Sequence, residues 1–178
     1  VELEPRRQHR EVATLGGEAH ALHAGRGAHV HVPVVVRARA QGPLQRGHGG
    51  VGTGRALAEL AQRQLEAARG AIEHADCAAE EIGAVLFRTC TSTKLIPSIA
   101  TWISGELGIL QTHASVDMVA ACAGLAYGLA EAVRLLQEVE RPVLLVCGEK
   151  FSDKIGSVRT SRMIFGDGAA ALVLTAAN

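Results

Sequence analysis

From residue 51 onward, apolar residues recur first with helical and then with strand periodicity. A helix is predicted to start after Thr53, whose hydroxyl can cap it, because apolar positions then follow every three to four residues. These positions are Leu57, Leu60, Ala61, Leu65, Ala68 and Ile72. The short apolar run over residues 84–87 has the length and composition of a buried strand.

Further strands and helices alternate along the rest of the chain. Residues 88–94 are predicted to form a loop, and Pro97 suits the first turn of a helix that reaches about Leu107 and stops at Gly108. The remaining predicted elements are strands over 114–119, 142–147 and 169–175, a helix over 123–139 and a loop over 149–163. This alternation indicates an α/β fold with a mixed, mostly parallel sheet and flanking helices.

Residues 1–50 differ sharply in composition from the rest of the chain. They hold six of the eight histidines and contain no Ser, Lys, Asp, Asn, Ile, Cys, Met, Phe, Tyr or Trp. Only residues 29–37 have strand character, and Pro33 would confine such a strand to a sheet edge. We interpret 1–50 as a disordered or non-native tail, such as an out-of-frame reading of GC-rich DNA would produce, and 51–178 as the folded unit.

Charge and cysteine content exclude several classes of protein. Lys plus Arg and Asp plus Glu both number 18, a balance that argues against nucleic acid or an anionic membrane as partner. No apolar run approaches the roughly 20 residues that span a bilayer, and no secretory signal pattern opens the sequence. The four cysteines are far apart, and the tail histidines have no acidic or cysteine co-ligands at useful spacing. We therefore expect a reduced, cytoplasmic protein without a metal site.

Cys122 falls where a predicted strand meets a predicted helix. Its small neighbours Ala120, Ala121, Ala123 and Gly124 allow a sharp turn and close approach of a substrate. At a helix N-terminus, the free N–H groups and the dipole favour the reactive thiolate and can stabilise an oxyanion on an attacked thioester. A small buried cysteine without reactivity is the alternative, and the turn alone does not decide between them.

Four segments carry a resemblance to a known family. They are Thr91 to Ser98, Val119 to Leu129, Val143 to Glu149, and Ile164 to Ala171. In order and spacing they resemble β-ketoacyl-ACP synthase III enzymes, which are condensing enzymes of the thiolase fold. The resemblance extends over residues 51–178 and implies one half, the N-terminal one, of a thiolase-like fold, with Cys122 as the nucleophile.

The resemblance also implies a reaction and its substrates. Such enzymes take an acyl group from acyl-CoA onto the cysteine as a thioester and condense it with malonyl-ACP, with loss of carbon dioxide. The chain would then be an acyltransferase of fatty acid or polyketide biosynthesis, with acyl-CoA as substrate, acyl carrier protein as partner and no permanently bound cofactor.

Roles for several other residues follow from the same resemblance. Ile96 would cross a dimer interface to close the partner's acyl pocket, and Arg159 would lie against the CoA adenine. Structural roles fall to Gly124, Gly166 and Gly168, which would serve backbone geometry, and to Asp167, which would hold turn N–H groups.

The sequence also departs from the family pattern. The family's chain is roughly twice as long, and its catalytic histidine and asparagine lie in a second half. His74 and His113 are not placed to replace them, and the family's CoA-binding tryptophan has no counterpart in residues 1–50. We therefore expect an incomplete enzyme that forms a homodimer or pairs with a C-terminal half, since one half alone leaves an apolar face uncovered.

Three other functions remain open at this point. The chain could be a non-catalytic subunit that pairs with a complete condensing enzyme, or a relative of HMG-CoA synthase or chalcone synthase. A cysteine hydrolase is the third, because residues 120–124 loosely resemble a nucleophile elbow. The hydrolase is disfavoured because no histidine follows Cys122 and because such a fold has no use for the sequence at 165–168.

Overall fold

The structure is a computed structural model that describes residues 30–31, 34–35, 54–92, 96–110, 112–151 and 165–176. The helices are α1 (Gly54–His74), α2 (Ile99–Glu106) and α3 (Gly124–Val139). The strands are β1 (Val30–His31), β2 (Val34–Val35), β3 (Ala84–Arg88), β4 (Ala114–Met118), β5 (Val143–Lys150) and β6 (Asp167–Ala176). Of the helices in these ranges, none combines the length and the apolar content that crossing a bilayer requires.

The six strands form one mixed sheet. Its order is β1-β6-β5-β3-β4, and β2 also pairs with β6. β3 runs parallel to both β4 and β5, whereas β6 is antiparallel to β5, and β1 and β2 are antiparallel to β6. The predicted α/β fold with a mixed sheet and flanking helices is confirmed. The described sheet is not mostly parallel as expected, because every pairing that involves β6 is antiparallel.

The central strand is buried on both faces, which is why it reads as an apolar run without alternation. Val85 and Phe87 pack in one apolar cluster with α1 and α2. Ala84 and Leu86 pack in a second cluster, against α3. Two helices on one face and one on the other therefore exclude water from β3.

The long helix α1 follows its predicted apolar stripe. Leu65, Ala68 and Ile72 are buried, whereas Thr53 and the side chains of Leu57 and Leu60 lie outside the described part of the chain. The pattern does not reveal that Gln64 is also buried. Gln64 lies against Gly148 of β5, where an added Cβ would come within 2.8 Å of its Cγ, so the absence of a side chain there makes room for the amide.

α2 begins later than predicted. Pro97 was expected in its first turn, but the N-cap is Ser98, whose Oγ accepts a hydrogen bond from the Thr101 N–H at 3.2 Å. Pro97 therefore precedes the helix. A serine in this position satisfies an N–H group that has no partner within the helix, and this local bond sets the boundary.

A second cap of α2 comes from another element. The two carboxylate oxygens of Asp117 accept hydrogen bonds from the N–H groups of Ile99 and Ala100, both at 2.8 Å. Asp117 belongs to β4, so one side chain joins the helix start to the strand that leads to the cysteine turn. The negative charge also suits the positive end of the helix dipole.

The end of α2 is formed as predicted. Gly108 has a φ of +74°, a conformation that favours glycine. Its N–H donates to the Gly105 carbonyl at 3.1 Å, and the N–H of Ile109 donates to the Ser104 carbonyl at 2.9 Å. These two bonds are those of a Schellman motif, which closes the last turn of the helix.

Three strands are longer than predicted. β3 includes Arg88, and β5 continues through Glu149 to Lys150, where loops were expected. β6 starts at Asp167, which pairs with Lys150. Charged residues continue these strands because backbone pairing with neighbouring strands continues there, and that pairing is invisible in local polarity.

Within residues 29–37, the described residues form two short strands at the edge of the sheet, as predicted. β1 and β2 lie on either side of Pro33, and both pair with β6. The other residues of 1–50 lie outside the described part of the chain, so the disorder expected for the tail stays a prediction.

Asp117→Asn should destabilise the fold. An amide can accept only one of the two N–H bonds and presents an NH₂ group to the other donor, so we expect the free energy of unfolding to fall by about 1–3 kcal/mol. Urea unfolding followed by circular dichroism measures this. Glu73→Gln, on the exposed face of α1, serves as the matched control and should change stability by less than about 0.5 kcal/mol. Equal unfolding midpoints for the two variants would contradict the capping role.

Gly128 and Gly105 should respond oppositely to alanine. A Cβ at Gly128 would lie 2.9 Å from Leu145 Cδ1, where α3 packs on β5, so Gly128→Ala should cost about 1–3 kcal/mol. At Gly105 no atom lies within 4 Å of the added Cβ, and Gly105→Ala should stabilise α2 by up to about 1 kcal/mol. Thermal unfolding of both variants tests this, and a stabilised Gly128→Ala would show that the packing is looser.

Candidate active site

The ends of three parallel strands meet at one edge of the sheet. Arg88, at the end of β3, is in register with Met118 at the end of β4 and with Cys147 of β5. In open α/β sheets, this carboxyl edge is where ligands bind. From Met118 the chain turns directly towards α3.

Cys122 lies in the turn between β4 and α3, as its sequence context predicts. Residues Ala121–Ala123 form a single 3₁₀ turn that runs into the helix. Ala121 has a φ of +40°, which is uncommon and strained for a residue with a side chain. The strand and helix on either side hold this conformation, and it leaves the Cys122 side chain exposed.

Two N–H groups of the turn are already bonded. The Ala123 N–H donates to the Ala120 carbonyl at 3.0 Å, and the Gly124 N–H donates to the Ala121 carbonyl. The expectation that the helix-start N–H groups are free to hold an oxyanion therefore needs correction for these two, because the tight turn uses them internally.

An open cavity of about 560 Å³ lies beside Cys122. Its lining is mainly apolar and consists of Ala121, Leu125, Phe151, Phe165, Ala170, Ala171 and Leu172 together with Arg88, Glu149 and the thiols Cys90, Cys122 and Cys147. In the described ranges, no group of three or more His, Cys, Asp or Glu residues is arranged to hold a metal ion. The cavity is thus suited to an apolar group next to a thiol.

A buried ion pair contributes to the wall of this cavity. The Arg88 guanidinium donates from Nη1 to Glu149 Oε1, and the two side chains are only 10% and 17% exposed. Arg88 follows Ala84 and Leu86 at two-residue spacing, so it shares their face of the sheet, beneath α3.

Glu149 also holds the segment that follows β3. Its carboxylate accepts from the Cys90 N–H at 3.0 and 3.1 Å and from the Thr91 hydroxyl at 2.9 Å. The Thr89 hydroxyl donates to the same carboxylate at 3.4 Å. Sequence reasoning missed both Arg88 and Glu149. The available signal was a charged residue at the end of each of two neighbouring apolar runs.

Gly124 is required by the position of Arg88. An added Cβ would overlap the Arg88 side chain along its length, from Cγ through Cδ to Nε. Because Arg88 is held by Glu149, it cannot move aside as a free surface side chain would. Glycine therefore lets the first turn of α3 rest directly on the arginine.

The pKa of each of the other three thiols is raised. Burial, followed by the Glu81 carboxylate, raises the pKa of Cys77 to about 11. Burial and then the Glu149 carboxylate raise the pKa of Cys90, and burial raises that of Cys147. The thiolate is the nucleophilic form, so these cysteines are poor nucleophiles at neutral pH. Cys147 is partly buried at the cavity wall.

Of the other predicted site residues, those that the structure describes do not line the cavity. Ile96 is 88% exposed in the segment before α2. Asp167 and Gly168 are the first residues of β6, and neither Gly166 nor Gly168 has atoms within 4 Å of an added Cβ or a φ that calls for glycine. Arg159 lies outside the described residues. The roles expected for these residues stay predictions.

Sequence comparison relates the chain to one family. Residues 116–178 match the family model of 3-oxoacyl-[acyl-carrier-protein (ACP)] synthase III. The chain is 41% identical over 112 residues to a beta-ketoacyl-[acyl-carrier-protein] synthase III of Oceanobacillus iheyensis, which is 62% of this chain and 36% of that protein. It is 40% identical over 111 residues to beta-ketoacyl-[acyl-carrier-protein] synthase III 2 of Vibrio cholerae, covering 61% of this chain and 30% of that protein.

Solved structures agree with this relationship. A 3-oxoacyl-[acyl-carrier-protein] synthase III from Aquifex aeolicus VF5 superposes with a TM-score of 0.62 at 30% identity, over 67% of this chain and 39% of that one. The priming beta-ketosynthase of the R1128 polyketide pathway gives 0.60 at 33% identity, over 64% and 34%. The chain spans about a third of the length of the curated relatives it matches. Over the matched part, the chain is therefore similar to the 3-oxoacyl-[acyl-carrier-protein] synthase III family and has the fold of these thiolase-fold enzymes.

Proposed function

We propose that the chain is the acyl-accepting half of a condensing acyltransferase of fatty acid or polyketide biosynthesis, in which Cys122 takes the acyl group from acyl-CoA. The observation that carries this proposal is the exposed Cys122 on a strained strand-to-helix turn beside an apolar cavity. The names of its relatives, β-ketoacyl-ACP synthases and a priming ketosynthase, support the same reaction class.

The first step is a transfer between two sulfur atoms. The Cys122 sulfur attacks the thioester carbonyl carbon, the carbon–sulfur bond to CoA breaks, and the proton from Cys122 leaves with the CoA thiol. Negative charge develops on the carbonyl oxygen during the attack. Because the Ala123 and Gly124 N–H groups are bonded within the turn, we assign backbone stabilisation of this charge to the N–H of Cys122 itself.

The cavity would receive the acyl chain. Leu125, Phe151, Phe165 and Leu172 give it an apolar lining next to the thiol. Each methylene that leaves water contributes about 0.8 kcal/mol, so an acyl tail is stabilised there without any specific polar contact.

Exposed apolar side chains support the need for a covering partner. They are Ile96, Leu110, Val116, Val119, Leu125, Tyr127 and Phe165. Several of them surround the cysteine turn, where a second copy of the chain or a C-terminal half would exclude water. We propose that such a partner completes the site, and that Ile96 reaches into it across the contact.

The condensation step requires groups beyond the acyl-accepting thiol. In the family that this chain resembles, a histidine and an asparagine of the second half act on malonyl-ACP. No histidine follows Cys122 in this sequence. We therefore expect this chain by itself to form the acyl-enzyme and to make no ketoacyl product.

At neutral pH, Cys122 should be alkylated before the other cysteines. Iodoacetamide reacts with thiolates, and the raised pKa values of Cys77, Cys90 and Cys147 keep these thiols protonated. We expect Cys122 to react about tenfold or more faster than Cys77, measured by peptide mass spectrometry over time. Equal rates at Cys122 and Cys147 would favour the alternative of a non-catalytic subunit.

Incubation with acetyl-CoA should add one acetyl group to Cys122 as a thioester. Intact-mass and peptide spectra measure the label, and hydroxylamine should release it. Cys122→Ala should take up no acetyl group, whereas Cys147→Ala should be labelled like the unaltered chain. Adding malonyl-ACP should yield no ketoacyl product, and detection of that product would show that the chain supplies its own condensation machinery.

A further inference from the structure

We propose that the Arg88–Glu149 pair positions Cys122. The Glu149 carboxylate holds Arg88 beneath the cysteine turn and also holds the segment after β3, which contributes Cys90 to the cavity lining. This inference rests on the proposed function for its catalytic consequence, but its geometry does not depend on the identity of the substrate. Neither residue is expected to contact the reacting atoms.

The floor beneath the cysteine turn is formed by the stem of Arg88. The first turn of α3 lies on this stem, in the space that the missing Cβ of Gly124 leaves open. Cys122 is two residues before Gly124, in the turn that runs directly into α3. The position of the Arg88 side chain under Gly124 therefore also determines where Cys122 lies. Ala121, with its φ of +40°, is the part of the turn that would relax if this support were lost.

Without the Glu149 carboxylate, the Arg88 side chain would leave its position beneath the first turn of α3. A helix N-terminus is electrically positive and disfavours a cation, and a buried arginine is stable only when it is paired. Glu149 supplies the opposite charge. Within the described part of the chain, the Arg88 Nε is buried without a hydrogen-bond partner, so the bond from Nη1 to Glu149 is what directs the side chain.

The same carboxylate also holds a second segment of the cavity lining. It accepts the Cys90 N–H and the Thr91 hydroxyl, which fixes the chain as it leaves β3. Cys90 and Cys122 both line the cavity. Glu149 therefore supports two segments that line the cavity, one directly and the other through Arg88.

The Glu149→Gln variant distinguishes a positioning role of the Arg88–Glu149 pair from a purely electrostatic effect on the Cys122 thiolate. In Glu149→Gln, the uncompensated Arg88 charge would attract a thiolate more strongly, so a purely electrostatic role predicts faster alkylation of Cys122. Positioning predicts the opposite, because Arg88 leaves the helix start and the turn relaxes. The relaxed turn moves the thiol away from the N-terminus of α3, whose dipole favours the reactive thiolate, so we expect alkylation of Cys122 to be slowed by about 2- to 10-fold.

The experiment follows iodoacetamide alkylation of each cysteine in the full chain by peptide mass spectrometry. In Glu149→Gln, Cys122 should slow, Cys90 should react faster because the carboxylate that helps to raise its pKa is gone, and Cys77 should stay unchanged. Glu73→Gln, on exposed α1 surface, should alter none of the three. Cys122 reacting as fast as in the unaltered chain, or faster, would overturn the proposal, as would parallel changes at all three cysteines.

A second measurement covers the case in which Glu149→Gln does not fold. Gly124→Ala should slow alkylation of Cys122 by about 2- to 10-fold in the otherwise unaltered chain, and much less in an Arg88→Ala background, where the added methyl has room. Equal effects in both backgrounds would overturn the proposal. Alkylation needs no acyl-CoA, so failure of acetyl-CoA to label Cys122 would count against the proposed function and leave this test intact.

Discussion

The structure depends on the parallel pairing of β3 with β4 on one side and β5 on the other. This pairing buries β3 on both faces, which requires α1 and α2 to cover one face and α3 the other. It also brings the carboxyl ends of the three strands to one edge of the sheet, with Arg88, Met118 and Cys147 in register. The cysteine turn, the arginine beneath it and the glutamate beside it meet there because the strands are parallel.

In the candidate site, an apolar cavity lies beside a single carboxylate, that of Glu149, which makes several polar contacts. Glu149 neutralises Arg88 and also accepts bonds from the segment after β3. Buried charges are costly unless they are paired and hydrogen bonded, so this carboxylate has little freedom to move. Its rigidity suits a turn that contains an alanine with a positive φ, since a strained conformation persists only where its surroundings determine it.

Exposed apolar residues lie around the cysteine turn. Val119, Leu125 and Tyr127 are exposed at the point where the proposed thioester would need protection from water. The proposed partner, a second copy of the chain or a C-terminal half, would cover this surface. In this proposal, the described residues hold the Cys122 thiol, whereas the condensation step depends on groups outside them.

The sequence by itself determined the order of elements from α1 to β6 and the position of Cys122 between a strand and a helix. Periodicity and small residues around the turn encode these features locally, and so does the glycine that ends α2. Only the tertiary structure decided that Arg88 and Glu149 belong to strands, that they pair, and that Gly124 must lack a side chain. Arg88 and Glu149 are 61 positions apart in sequence. They meet because β3 pairs with β5 in this register, and no local sequence pattern records that pairing. The same holds for Asp117, because its helix-capping role depends on how β4 lies beside α2.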